Sequence, residues 1–476
     1  MLYHSTRSNE IPVTGAQAVL EGLAPDGGLY LPRQLPTLDW QALVKADTQT
    51  IATAILSAFL PDLPNMQELV AKAYTGKFET ESLTPTVAVG NQYVLELFRG
   101  PTSAFKDVAL CMLPQLMMAS KSVCGDEEKT LILTATSGDT GKAALEGFKD
   151  VPGIEICVFY PHGGVSDVQR RQMVSQEGSN VHVCAVHGNF DDCQTGVKKI
   201  FAAGCQKKLS SANSINIGRL LPQVTYYFAA YRDLLASGAI SLGDKVNFSV
   251  PTGNFGDILA GYLAKLLGLP VGTLICASNA NNVLTDFIRT GTYDRRRPLH
   301  KTTSPSMDIL VSSNLERLLY LMSFDTQLVA GLMQQLNEEG FYSVPDEMLQ
   351  KIQAEFWAGC CDDGLAAQTM GKVWVENHYL MDPHTASGWA AAEEYMAETC
   401  DNGPMVVLST ASPYKFPAAV LAAIGGDGSG DEFTQMERLS AMTGVAIPKN
   451  LAGLREKAER HTDVIHKEEM MAYILR

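Results

Sequence analysis

The chain is poor in charge, and poorest in positive charge. Charged residues make up 19% of its 476 positions, and 37 Lys and Arg stand against 52 Asp and Glu, a formal charge of −15. That balance repels nucleic acid and anionic membranes at long range, so extended polyanions are excluded as partners. Small phosphates are not excluded, because a local basic pocket can hold an anion inside an acidic protein. Long apolar runs are also lacking: Lys265 interrupts the best stretch, residues 258–267, well short of a membrane span. Met1 to Arg7 show no basic-then-apolar signal pattern. The ten cysteines include no C-x-x-C pair and no matching histidine cluster, so no metal site is expected. Several sit inside apolar runs, as Cys157 does, which reads as small buried hydrophobes in a reducing, cytoplasmic setting.

What is present is an ordinary enzyme-like composition, 46% apolar with 40 glycines, long enough for more than one packed unit. Residues 1–85 form a preface with a Gly/Pro-rich turn at 23–32 and helical periodicity over 42–59 and 66–73. A Pro-bounded stretch near 83–86 marks a boundary. From about Tyr93 short apolar runs alternate with helical patterns. Buried strands are expected at 130–134, 155–160, 181–186, 246–250 and 405–409, with helices from about Gly141 and over 257–267. Repeated strand–loop–helix order implies a mainly parallel sheet covered by helices. Ligands bind such sheets beyond the carboxyl ends of the strands, where the Gly, Ser and Thr loops of this chain fall. Residues 425–431 read as a surface loop before a charged helical tail from about 432.

Four loops carry chemistry. In the stretch Leu97 to Asp107, Lys106 follows a Gly-Pro-Thr turn and Phe105. Most lysines are solvated, but one held in a structured, partly desolvated place has a lowered ammonium pKa and an available lone pair. Residues 134–143 follow a strand and open a helix, so backbone N–H groups there suit a carboxylate or phosphate. A nucleotide-binding P-loop is excluded, since Thr136 and Ala143 stand where that motif needs Gly and Ser or Thr. Residues 251–257 repeat the geometry, with Gly253 and Gly256 permitting close approach to an anion; Asp257 reads equally well as a helix cap. The last loop, 408–416, presents Ser409 and Thr410 at a strand end, where ordinary turn chemistry competes as an explanation.

Together these segments resemble the threonine synthase family, fold-type II pyridoxal-phosphate enzymes related to the tryptophan synthase β-chain. The likeness extends over residues 23–32, 188–194, 214–223, 304–308 and 382–386, and is closest to the longer form of the family. It implies two open three-layer α/β subdomains, interleaved within 86–476, plus an N-terminal mainly helical domain. It implies pyridoxal 5'-phosphate as cofactor and Lys106 as the lysine that carries it as a Schiff base. Gly253, Asn254, Phe255, Gly256 and Asp257 match the loop for the cofactor phosphate, and Thr410 the hydroxyl at the pyridine nitrogen. Ser137, Gly138, Asp139 and Thr140 match the loop that meets the substrate carboxylate and cofactor ring. Arg219 is the candidate for the substrate phosphate, with an arginine bridging structural loops as the alternative.

The implied reaction converts O-phospho-L-homoserine and water to L-threonine and phosphate, in a monomer or homodimer without nucleic acid or membrane. A related lyase or hydroxy-amino-acid dehydratase would use the same lysine, and a non-catalytic binder would not need it. Arg99 and Ser412 depart from common family residues, and His162 begins a Gly-Gly segment where Lys-Gly is frequent.

Overall fold

The computed structural model describes every residue except 137, 205 and 476, and the side chains of Asp191 and Ala202 are also left aside. Two parallel sheets carry most of the strands. The larger runs Phe356–Cys360, Val271–Ser278, Val246–Pro251, Met405–Ser409, Gln92–Glu96 and Thr86–Val89. Its neighbours are parallel apart from the antiparallel pair at the Thr86 edge. Every residue of Val246–Pro251 and Met405–Ser409 is buried, as strands covered on both faces require. The smaller sheet runs Val464–His466, Val181–His187, Ile154–Pro161, Thr130–Ala135 and Lys208–Ser210, all parallel. The chain starts the larger sheet, leaves to build the smaller one, and returns at Val246, so the two units are interleaved in sequence.

Strand ends agree with expectation to within one or two residues, because fully apolar runs between glycine turns leave little choice. The helix expected from Gly141 begins earlier, at Asp139, and that expected from Asp257 begins at Gly256. The periodicity over 42–59 breaks into Trp40–Leu43 and Thr48–Phe59, with the Asp47 side chain accepting from Thr50 N–H to start the second helix. The preface also holds a three-stranded antiparallel sheet, Ser8–Thr14, Leu2–Ser5 and Tyr30–Pro32. Its strands are short, and Ser8–Thr14 is largely exposed and contains a proline, so periodicity did not announce it. The tail is helical only in part. Glu432–Thr443 and Met470–Ile474 are helices, but Val464–His466 adds a strand to the smaller sheet, paired with Ala185–His187.

One helix packing bears on the site. Lys106–Cys124 contains Pro114, which cannot donate to the Leu110 carbonyl. Gly147 of the helix Asp139–Phe148 lies against that carbonyl so closely that a Cβ there would stand 2.0 Å from Leu110 O. The helices that begin at Lys106 and Asp139 thereby pack backbone to backbone at this point.

Candidate active site

Lys106 is the first residue of its helix, at the end that carries partial positive charge. The residue is 8% exposed, and its Nζ lies over the Phe105 ring, 4.5 Å from the centroid. Nζ stands 3.4 Å from Ser306 Oγ and 4.0 Å from Asp139 Oδ2. Burial is the main reason its ammonium is pushed down to about 8; Asp139 opposes this, while Lys415 and Arg219 add to it. A desolvated amine near a neutral operating pH is what nucleophilic attack on an aldehyde requires.

The loop before Lys106 is stitched on both sides. Phe105 N–H donates to Thr410 O at 2.8 Å and Ser412 N–H to Ser103 O at 3.1 Å, so the loop after Met405–Ser409 lies directly against it. Thr102 N–H donates to the buried Asp107 carboxylate, and a Cβ on Gly100 would strike that carboxylate at 2.5 Å. Asn450, from the tail, donates to Pro101 O at 2.8 Å and accepts from Ser103 Oγ at 2.9 Å.

The turn Gly253 to Asp257 leaves its N–H groups free. Its carbonyls are taken: Ser312 Oγ donates to Gly253 O at 2.7 Å, and Asn314 N–H and Nδ2 each donate to Asn254 O at 3.0 Å. Among the described residues no partner accepts from the N–H groups of Gly253 to Asp257. Phe255 adopts φ +60, a left-handed conformation of the kind usually left to glycine, and its buried ring packs 5.7 Å from Phe356 to hold it there. At Gly253 a Cβ would stand 2.5 Å from Ser306 O, whereas at Gly256 nothing lies nearer than Asn314 Nδ2 at 3.4 Å. Convergent N–H groups at a helix start form an anion cradle. Asn254 is exposed.

Asp257 corrects the expectation of a helix cap. Its carboxylate does not cap the helix; Oδ1 accepts from Tyr226 Oη at 2.6 Å and Tyr227 Oη at 3.0 Å, while the buried Oδ2 has no partner among the described residues. Burial pushes its carboxyl up to about 6.

The other glycine turn is organised differently. Ser137 lies outside the described residues. Thr136 Oγ1 accepts from Gly138 N–H at 3.0 Å and Gly141 N–H at 2.9 Å. Gly138 has φ +143, with the Gln169 side chain 2.4 Å from where a Cβ would be. Asp139 is buried and accepts at Oδ1 from Lys415 Nζ at 2.5 Å and Gln169 Nε2 at 2.9 Å. Burial opposes its ionisation, but Lys415 and then Lys106 outweigh that and hold the carboxyl well below the usual range. A carboxylate so committed cannot also meet a substrate carboxylate, which narrows the expectation for this turn to its remaining donors. Thr140, half-buried, has a hydroxyl with no partner among the described residues.

Thr410 is 5% exposed and sits beside the lysine loop through its backbone. Arg219 is 3% exposed, donates from Nη1 to Ala212 O at 2.5 Å, and has a buried Nε without a partner. Burial pushes its guanidinium down to about 10. It therefore bridges a loop and still projects charge towards Lys106. Arg99 pairs with Glu96 and Glu79, and Ser412 accepts from Tyr414 N–H, so neither departure alters the lysine or the open turn.

Sequence reasoning missed Lys415, Ser306 and Asn450. Lys415 had a signal, a cation five residues past Thr410 in an already suspected loop. Ser306 lay in a stretch noted only for its resemblance, and Asn450 had no local signal.

A reactive buried amine and an anion cradle at the carboxyl ends of parallel strands define a fold-type II pyridoxal-phosphate-dependent enzyme. Comparison with known proteins agrees. Residues 84–411 match the family described as pyridoxal-phosphate dependent enzyme, residues 2–74 the threonine synthase N terminus, and residues 385–474 the threonine synthase C-terminal family. Threonine synthase of Pseudomonas aeruginosa is 40% identical, with 97% of this chain and 95% of that protein covered. A crystal structure of pyridoxal-phosphate-bound threonine synthase from Brucella melitensis is 40% identical with a TM-score of 0.89, covering 100% of this chain and 98% of that one. Threonine synthase-like 1 of Macaca fascicularis is 41% identical over 86% of this chain, which spans 58% of that longer protein. The chain belongs to the threonine synthase family.

Proposed function

We propose that the protein converts O-phospho-L-homoserine and water to L-threonine and phosphate with pyridoxal 5'-phosphate bound at Lys106. The observation that carries this reading is the Lys106 amine, buried, pushed down to about 8, and touching the serine that overlies Gly253. The residues fit the cofactor. Lys106 Nζ would bond its aldehyde, the free N–H groups of Gly253 to Asp257 would hold its phosphate, and Thr410 would offer a hydroxyl to its ring nitrogen.

When bound, the cofactor supplies the electron sink for carbon acids of the substrate. The chain supplies orientation and proton handling. With cofactor and substrate bound, the Lys106 amine would be the base and acid at hand, and its lowered proton affinity would let it accept and return protons near neutrality. A neutral hydroxyl at Thr410, in place of a carboxylate, would leave the ring a milder sink, which would favour elimination and replacement over transamination. Arg219, which has no carboxylate partner among the described residues, adds positive potential that a doubly anionic substrate would meet, despite the acidic protein around it. The turn at Gly138 contributes Thr140 and its helix start to the substrate side. Among the described residues no helix is long and apolar enough to cross a membrane; the reading includes a cytoplasmic monomer or homodimer.

Phosphate and threonine should appear together, in equal amounts, from O-phosphohomoserine. Release of a keto acid and ammonia instead would assign the chain to the dehydratase type. Lys106→Ala should lower turnover by ~10²–10⁴-fold or more, the usual worth of a positioned acid–base group.

A further inference from the structure

Residues 304–308 and 382–386 have no part in the mechanism above, yet the fold brings them together at the lysine. Ser306, in the short 3₁₀ turn Pro305–Met307, makes three contacts in three directions. Its Oγ accepts from Lys106 Nζ at 3.4 Å, its carbonyl overlies Gly253, and its N–H donates to His384 Nε2 at 3.1 Å. His384 is 1% exposed, with the Phe416 ring 5.0 Å away. His384 Nδ1 is 2.6 Å from Asp382 Oδ2.

The tautomer follows from these partners. A nitrogen that accepts from a backbone N–H carries no proton, so the proton of a neutral ring is on Nδ1 and goes to Asp382. Asp382 is fixed in turn, accepting from His384 N–H and Thr385 N–H as the cap of the helix Pro383–Thr399. A buried carboxylate–imidazole pair is costly to desolvate, and its outward nitrogen serves one backbone N–H. That N–H belongs to the residue whose hydroxyl touches the reacting amine.

We propose that Ser306 is a catalytic residue that holds the Lys106 amine in place, and that His384, locked by Asp382, is the positioning residue that sets Ser306. A neutral amine has two N–H bonds and one lone pair; with one N–H on Ser306 Oγ, the lone pair is aimed away from it. The 3.4 Å separation is long for a hydrogen bond, as catalytic contacts often are before substrate tightens them. This inference rests on Lys106 being the reacting group.

The test uses the full-length chain freed of cofactor, with the rate of Lys106 acylation by an amine-directed reagent followed against pH by peptide mass. A hydroxyl acceptor favours the ammonium, so Ser306→Ala should move the midpoint down by about one pH unit. The other charges that reach this amine, Asp139, Lys415, Arg219, Asp107 and Asp257, are untouched by the substitution. With cofactor restored, kcat should fall about tenfold or more with KM nearly unchanged, and Ser306→Thr should recover both readouts. His384→Ala should shift the midpoint in the same direction with Ser306 still present.

A Ser306→Ala profile that superimposes on the parent's overturns the assignment. So does a His384→Ala protein that melts lower but keeps the midpoint, because a merely structural histidine would do that. Borohydride trapping of pyridoxal phosphate on the parent chain separates the two levels. Trapping at Lys106 with an unmoved Ser306→Ala midpoint sinks this inference alone, and no trapping sinks the functional reading beneath it.

Discussion

The turns at Gly138 and at Gly253 look alike in sequence, each a strand, a glycine loop and a helix start, and the fold uses them in opposite ways. At the first, Thr136 Oγ1 occupies the N–H groups of Gly138 and Gly141, and Asp139 turns inward to Lys415. At the second, Ser312 and Asn314 hold the carbonyls and leave the N–H groups of Gly253 to Asp257 without partners. The first turn spends two of its N–H groups on its own Thr136 and places a carboxylate near Lys106; the second leaves those of Gly253 to Asp257 open to an anion. Glycine spacing alone cannot separate these cases. What separates them is whether a side chain of the same turn accepts from its own N–H groups.

The comparison can be broken most forcefully at Lys415. Lys415→Met leaves Asp139 buried with its closest cation gone, and should destabilise the chain by about 3–5 kcal/mol in denaturant unfolding, as removal of one partner of a buried ion pair does. A loss within experimental error would mean that Asp139 is not held by charge. Lys106 gives the next effect. Its folded-state pKa lies below the ordinary 10.5, at about 8, so the unfolded chain binds more protons between those values and stability rises with pH across that window. Below pH 8 the cofactor-free chain should therefore be less stable than Lys106→Met by up to about 3 kcal/mol, the gap closing towards pH 10.5. A gap that does not change with pH would contradict the buried amine.

Gly253→Ala sharpens the contrast from the open side. Its Cβ would press on the Ser306 carbonyl, a backbone atom, at a strain of about 1–3 kcal/mol, and pyridoxal phosphate should bind roughly ten- to a hundredfold more weakly by absorbance titration. Thr136→Val is the smallest, removing the acceptor of two N–H groups for a loss of about 1–2 kcal/mol in thermal unfolding. It should leave cofactor affinity nearly unchanged. If Thr136→Val weakened the cofactor as much as Gly253→Ala, the two turns would not differ in the way described.

Much of this was legible in the chain. Runs such as residues 405–409, apolar throughout, announce buried strands, and Lys106 stands out because a turn and an aromatic residue precede it. The strand Val464–His466 was not legible, because three residues acquire their identity only from pairing with Ala185–His187. The role of Asp257 was hidden for a similar reason: its partners, Tyr226 and Tyr227, lie about 30 residues upstream, on a helix whose aromatic face reads as plain core. Lys415 could have been suspected, but its pairing with Asp139 joins loops from the two sheets, and no local pattern encodes that.

Reduction of the cofactor-treated chain with borohydride, followed by peptide mapping, tests the central claim most directly. The account predicts the pyridoxyl mass on the peptide carrying Lys106, and none on the peptide carrying Lys415, the other buried lysine of the site. The mass on Lys415, or on no peptide at all, would contradict it.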